Sequence, residues 1–192
     1  MGDGRVCCGP GHEFLILEGV NIIVAKDTPR LLIRQATPAD ASFMLELLNE
    51  PAWRKFIRQH DVNSAPAALD YLEERIFPAY EEGMGFWLVA EKSSQLPIGI
   101  CGLVKRPYLE QVDLGFGFLE LAWGKGFARE AALSVIEYAD SLLQLPELWA
   151  ITVAENAQSI TLLEKLSFSF SKTLSNPEGE ALELYSLRLG VK

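Results

Sequence analysis

The segment DLGFGFLELAWGKGFAREA, residues 113–131, leaves a chain few ways to fold around it. Its first part alternates like a strand, Gly124-Lys125-Gly126 makes a turn, and the residues that follow open an apolar stripe at helical spacing. A helix that starts in such a turn leaves its first backbone N–H groups without intrahelical partners, at the positive end of the helix dipole. Glycines without a Cβ let a ligand approach that backbone closely. The combination is a site for an anion, most naturally a phosphate. Alternation also sets Asp113, Gly115, Gly117 and Leu119 on one face of the strand, with Asp113 the only carboxylate there.

The surrounding pattern places this segment in an α+β chain. Residues 30–36 alternate as a first strand, and Thr37-Pro38-Ala39-Asp40 carries the signature of a helix start. Phe43, Met44, Leu47 and Leu48 share one face of the helix that follows, which stops near Pro51. A short helical piece is predicted over 53–59, and another helix from Ser64 carries Leu69, Leu72, Ile76 and Tyr80 to a stop at Gly83 and Gly85. The period then changes to two. Strands over 86–91, 97–105 and 112–119, joined by short connections, predict an antiparallel meander. A helix over 125–143, an apolar strand over 148–154 read as buried on both faces, a short helix from Asn156 to Leu166, and strands over 167–174 and 181–189 complete the order β-α-α-β-β-β-α-β-α-β-β.

Composition narrows the function classes. With 26 acidic against 17 basic residues the formal charge is −9, which is a poor basis for gripping nucleic acid. The 192 residues suit one domain, 49% of them hydrophobic, enough for a sizeable core. Three cysteines, two of them adjacent at Cys7 and Cys8, do not make a disulfide framework, and Cys101 reads as a small buried hydrophobe. No apolar run reaches the length of a membrane span, and residues 1–27 carry no convincing secretory signal, so the expectation is a cytoplasmic protein without a membrane partner. Residues 1–27 read as an extension, poorly ordered or a short hairpin broken at Glu18-Gly19, ahead of one domain over 28–192. The two histidines, His12 and His60, lack partner acids, so no metal site is predicted.

Two nucleotide-binding readings of the glycine turn fail on spacing. A dinucleotide fingerprint needs a third glycine after the first strand of a βαβ unit, and Gly115 and Gly117 lie inside a strand instead. A Walker loop needs Ser or Thr after its lysine, and Lys125 is followed by Gly126. The residues 123–131, WGKGFAREA, closely resemble the W-G-K-G-[YF]-A-x-E-A segment of the GCN5-related N-acetyltransferases, in the branch similar to enzymes that modify ribosomal-protein N-termini. Thr28-Pro29-Arg30-Leu31 with residues 37–40 resembles the first strand and helix start of that family. Residues 98–103 resemble its central strand. Glu155-Asn156-Ala157-Gln158-Ser159 with Leu163-Glu164-Lys165-Leu166 is similar to its E-N-x-x-S…L-E-K-x-G-F run. The likeness covers roughly residues 28–190. Leu121 stands where the family has Gln or Arg, Glu120 where this branch has proline, and Ser167 where glycine is usual.

The resemblance implies an α/β/α fold with a mixed, mostly antiparallel sheet flanked by helices, whose splayed central strands admit acetyl-CoA as co-substrate. It implies direct attack of a primary amine, a protein N-terminus or a small molecule, on the thioester. The implied CoA-contacting residues are Leu119, whose backbone N–H is expected to meet the thioester oxygen, with Leu121, Trp123, Gly124, Lys125, Gly126, Phe127, Ala128, Asn156 and Ser159. Asn156 is open to a second reading as a helix cap. Asp113 is the expected general base, since a carboxylate can take the proton of the attacking amine; the alternative is an Asp that orients a loop or a cationic substrate. Gly115 and Gly117 are expected to make room for the ligand, or else to relieve packing against a helix. Trp53, Phe56, His60, Tyr71 and Trp87 are the residues expected near the acceptor, each with a core role as its alternative. The general acid, the acceptor amine, the role of Cys7 and Cys8, and the choice between monomer and homodimer stay open at this level. A non-catalytic acyl-CoA-binding or sensor module is the competing function.

Overall fold

The structure is a computed structural model, and it describes residues 28–57 and 62–190 together with the backbone of three short strands ahead of them. Those strands, β1 (Arg5–Cys7), β2 (Glu13–Leu17) and β3 (Val20–Ile22), form a small antiparallel sheet in that order. Cys8, His12 and His60 lie outside the described residues.

The main sheet has seven strands: β4 (Leu31–Arg34), β5 (Gly85–Glu91), β6 (Pro97–Val104), β7 (Asp113–Phe118), β8 (Glu147–Thr152), β9 (Ser169–Ser175) and β10 (Ala181–Arg188). Their order is β4-β5-β6-β7-β8-β10-β9. All neighbours are antiparallel except β7 and β8, which run parallel and share one bridge, Asp113 with Trp149. This is the mixed α+β architecture that the alternation of periods predicts, and the short connections of the meander explain the antiparallel half.

Two apolar layers sandwich the sheet. Alternation along β5 sends Trp87 and Val89 to one core and Leu88 and Ala90 to the other. On the first side lie α5 (Phe127–Ser141) and α6 (Ala157–Lys165). Ala131, Ala132, Val135 and Ala139 of α5 are fully buried, and these small side chains let the helix lie close on the strands. On the second side lie α1 (Ala41–Asn49), α2 (Pro51–Phe56), α3 (Ala65–Tyr71) and α4 (Phe77–Tyr80). Pro51 ends α1 by forbidding helical backbone before it, and then serves as the first residue of α2. A π-helical turn, Leu72–Ile76, joins α3 to α4, where Pro78 has no N–H to continue the α ladder. The entry to α1 is held as the sequence predicts: the Thr37 backbone N–H donates to Asp40 at 2.7 Å. The Arg34 guanidinium grips the same carboxylate with two bonds of 2.8 and 2.7 Å.

Two local expectations need correction. The strand over 148–154 is not buried on both faces: Leu148, Ala150 and Thr152 are buried while Trp149 and Ile151 are partly open. The helix expected over 125–143 begins later, at Phe127, because Gly124 and Gly126 both take positive φ (71° and 78°) that a helix cannot use.

Candidate active site

The parallel pair β7 and β8 separates beyond its single bridge, and this opens a wedge in the middle of the sheet. Strand register decides which backbone groups face it. Leu119 N–H donates to Ile98 O at 3.0 Å, toward β6. In an antiparallel ladder that direction alternates, so the N–H groups of Phe116 and Phe118 point the other way, into the wedge. The Phe118 carbonyl lies on the same side and accepts a 3.0 Å bond from Trp123 Nε1. The donor expected from Leu119 is therefore turned back into the sheet, and its neighbours one position upstream hold the open positions.

A cleft of about 610 Å³ extends from this wedge. One wall is α2, through Ala52, Trp53, Phe56 and Ile57; the second is the end of β7 and the glycine turn; the third is the first two turns of α6. Trp123, Gly124, Gly126, Phe127, Ala128, Asn156 and Ser159, all expected from the sequence, line it together. Arg129, Gln158, Thr161, Leu162 and Lys165 also line it and were not anticipated. Arg129 lies one helical turn beyond Gly126, so helical spacing held a weak signal for it, whereas Lys165 lies about two and a half turns beyond Asn156 and had none. Leu121 is exposed and outside the lining, and Lys125 points its side chain to solvent.

The turn itself is built for an anion. The first intrahelical bond of α5 runs from Glu130 N–H to Gly126 O at 3.1 Å, and no side chain caps the helix. The N–H groups of Phe127, Ala128 and Arg129 therefore have no partner within the helix. A Cβ on Gly124 would meet nothing within 4 Å, so the approach to the backbone is open. Arg129 and Lys165 add positive charge to the lining of the cleft, and the α2 wall supplies apolar surface. A diphosphate with an extended neutral arm fits this donor set.

Asn156 is a helix cap, and it also lines the cleft. Its Oδ1 accepts from Ser159 N–H at 3.2 Å, which caps α6, while the side chain borders the cleft. Its amide nitrogen is left to serve a ligand.

Asp113 is not where the general-base expectation requires it. It lies at the start of β7, four residues and about 13 Å of extended strand from Gly117. It is 1% exposed, and Arg106 Nε reaches both carboxylate oxygens at 3.1 and 3.2 Å. Tyr108 is hydrogen-bonded to the same guanidinium. Burial pushes the Asp113 carboxyl up to about 6, outweighing the lowering effect of Arg106. That value suits a base at neutral pH, but the group is sealed at the point where β7 and β8 still pair. The two strand glycines likewise serve packing. A Cβ on Gly117 would come within 2.3 Å of the Trp53 ring, and one on Gly115 within 2.7 Å of the Phe86 ring. The space they leave on that face is filled by aromatic side chains.

Of the other anticipated aromatic residues, Trp53 and Phe56 line the cleft. Trp87 is 1% exposed and stacks edge-on against Tyr138 at 5.3 Å between centroids, a core role. Tyr71 is half-buried beside α1–α4 and stands apart from the lining. Tyr185 donates to Glu183 at 2.9 Å within the sheet. Cys101 is fully buried, and burial pushes its thiol up. Among the described residues no helix is long and apolar enough to cross a membrane, and no group of three or more His, Cys, Asp or Glu could hold a metal ion.

Comparison with known proteins agrees with this geometry. The family model described as Acetyltransferase (GNAT) domain matches residues 30–169. The chain is 27% identical over 166 residues to the uncharacterized N-acetyltransferase p20 of Bacillus licheniformis, covering 84% of this chain and 93% of that one. It is 30% identical over 94 residues to the uncharacterized protein YkkB of Bacillus subtilis (strain 168), a stretch that spans 48% of this chain and 55% of YkkB. Among solved structures, an acetyltransferase from Agrobacterium tumefaciens str. C58 superposes with a TM-score of 0.73 at 21% identity, over 93% of this chain and 99% of that one. RimL, a ribosomal L7/L12 alpha-N-protein acetyltransferase solved with coenzyme A, superposes with a TM-score of 0.75 at 12% identity, over 90% and 99% of the two chains. These two likenesses are of fold. The wedge, the uncapped glycine turn and the match over residues 30–169 have one reading: the chain belongs to the GNAT acetyltransferase family and is an acyltransferase.

Proposed function

We propose that this chain moves the acetyl group of acetyl-CoA to a primary amine, and that the amine is an α-amino group such as a peptide N-terminus. The observation that carries the reading is the continuity of the wedge with the glycine turn. A single cleft joins the N–H groups of Phe116 and Phe118 to the free donors at the start of α5. The turn would hold the diphosphate, and the wedge would hold the extended arm much as a strand would be held. Acetyl-CoA supplies an activated acyl carbon. The amine nitrogen forms a bond to that carbon, the carbon–sulfur bond breaks, and the thiolate leaves and takes up a proton.

The chain's own contribution is placement and charge. Phe118 N–H, or Phe116 N–H beside it, would donate to the thioester oxygen as negative charge grows there; the strand register that turns both toward the wedge supports this role. Trp123 occupies the Phe118 carbonyl, which would otherwise repel that charge at close range. Trp53, Phe56 and Ile57 form the wall that keeps water from the acyl carbon.

The sealed position of Asp113 bears on the acceptor. A lysine ammonium has a pKa near 10.4 and needs a base to become a nucleophile at neutral pH, whereas an α-amine near 8 is partly neutral without one. An acceptor of the second kind needs no carboxylate in the cleft, and its proton can pass to water. RimL, similar in fold, is named for action on such an amine.

The test is release of free CoA thiol from acetyl-CoA with a panel of short peptides, N-terminally blocked peptides with one lysine, and small polyamines. Turnover with free N-termini supports the proposal. Turnover confined to lysine side chains or polyamines overturns the α-amine assignment, and CoA binding without turnover on any amine would favour a sensor.

A further inference from the structure

Arg30 lies outside the cleft, yet it reaches across the fold to the back of the glycine turn. Its Nη1 donates to Lys125 O at 2.9 Å, and its Nε donates to Glu130 Oε2 at 2.7 Å. Its backbone N–H donates to the other oxygen of Glu130, Oε1, at 2.9 Å. The guanidinium also stacks on Phe127, 4.7 Å from the ring centroid. These contacts hold both sides of Gly126: the peptide before it and the first turn of the helix after it. Burial alone would raise the Glu130 carboxyl, but the hydrogen bonds from Arg30 hold it below its ordinary value, so this partner is a full anion at neutral pH.

The consequence follows from peptide geometry. In a trans peptide the C=O and the following N–H point in opposite directions. Fixing Lys125 O on the Arg30 side therefore turns Gly126 N–H to the opposite, open side, with the free donors of Phe127 and Ala128 next in line. A turn with two positive-φ glycines has many backbone states of similar energy, and a ligand that must select one of them binds more weakly.

We propose that Arg30 is a positioning residue for the anion cradle: it locks the Lys125–Gly126 peptide and the first turn of α5 into a single donor set before the diphosphate of CoA arrives. The inference rests on the reading of the turn as the diphosphate site. It also ties the cradle to the start of β4, since Arg30 immediately precedes that strand. The guanidinium acts from behind the turn, through Lys125, Glu130 and the Phe127 ring, and is not itself among the residues lining the cleft.

The experiment is titration calorimetry of free CoA and of acetyl-pantetheine, which lacks the diphosphate, onto the wild-type chain, R30A, R30K and E130Q. Chemical denaturation of each variant runs alongside. R30A is expected to weaken CoA about tenfold, equivalent to about 1.4 kcal/mol, and to leave acetyl-pantetheine unchanged. R30K is expected to recover little, because one ammonium cannot span Lys125 O and Glu130 as the planar guanidinium does. In turnover the KM for acetyl-CoA should rise while kcat at saturation holds. Equal losses for CoA and acetyl-pantetheine would show general damage to the fold and overturn the proposal. Full CoA affinity in R30A, or full recovery in R30K, would overturn it too. Failure of the wild-type chain to bind CoA would instead remove the acetyl-CoA reading itself.

Discussion

Replacing Asp113 by Asn separates the structural account of this residue from the catalytic one. The carboxyl titrates near 3.8 in an unfolded chain and is pushed up to about 6 in the fold. For an acid with a raised folded value, the native state binds the extra proton, so the stabilisation is present at low pH and is lost as pH rises through the interval. Over the whole interval of about 2.2 pH units this amounts to about 3 kcal/mol, of which about 2 kcal/mol falls between pH 4.5 and 7. Asparagine keeps the shape and does not titrate. Arg106 loses its counter-charge in D113N, but with a third of its side chain exposed it can be rescued by solvent. Urea denaturation of both proteins from pH 4.5 to 7 would read the difference directly. The stability of the wild-type chain relative to D113N should fall by about 2 kcal/mol across that window. On the catalytic side, D113N should keep a pH–rate profile of the wild-type form, because the carboxylate does not reach the cleft. Parallel stability curves would refute the burial argument, and loss of neutral-pH turnover in D113N with recovery at alkaline pH, where the amine is already neutral, would restore Asp113 as the base.

Substitutions at three further positions test the walls of the site. Gly117→Ala would drive a Cβ to within 2.3 Å of the Trp53 ring, so α2 must shift, at a cost of about 1–3 kcal/mol in chemical denaturation; wild-type stability would contradict that packing. Trp123→Phe removes the donor to Phe118 O, so stability should fall by about 1 kcal/mol and the KM for acetyl-CoA should rise, both absent if the indole only covers surface. Asn156→Ala should cost about 1 kcal/mol through loss of the α6 cap; Asn156→Asp should recover that stability but not CoA affinity, because it lacks the amide donors. Recovery of both by Asp would mean that the cap is the residue's whole role.

The elements of the fold were largely legible because each carries a strong local signal. The change of period near Phe86, the proline at Pro51 and the glycines before Phe127 all act within a few residues of where their effect appears. The cleft was legible in part for the same reason: Trp123–Ala128 and Asn156–Ser159 are local motifs whose backbone does the work. Four features were not legible, and each depends on a partner outside its own secondary-structure element. Which of Phe118 and Leu119 offers its N–H to the wedge depends on how β6 pairs with β7, and a shift of one residue exchanges them. Strand glycines make room, but only the placement of Trp53 and Phe86 shows what takes it. Asp113 reads as a base by its position on the strand, and Arg106 decides otherwise. The hold of Arg30 on Lys125 crosses 95 residues, beyond the reach of any local pattern.

CoA is expected to bind in the cleft with its diphosphate on the glycine turn and its arm in the wedge. Residue-resolved amide hydrogen exchange, measured with and without CoA, tests it at the atoms concerned. Slower exchange is expected on CoA addition at Gly126–Arg129 and at Phe116 and Phe118, with Leu119 unchanged because its N–H is already bonded to Ile98 O. Protection that appears elsewhere and leaves both the turn and the wedge amides unaltered would contradict it.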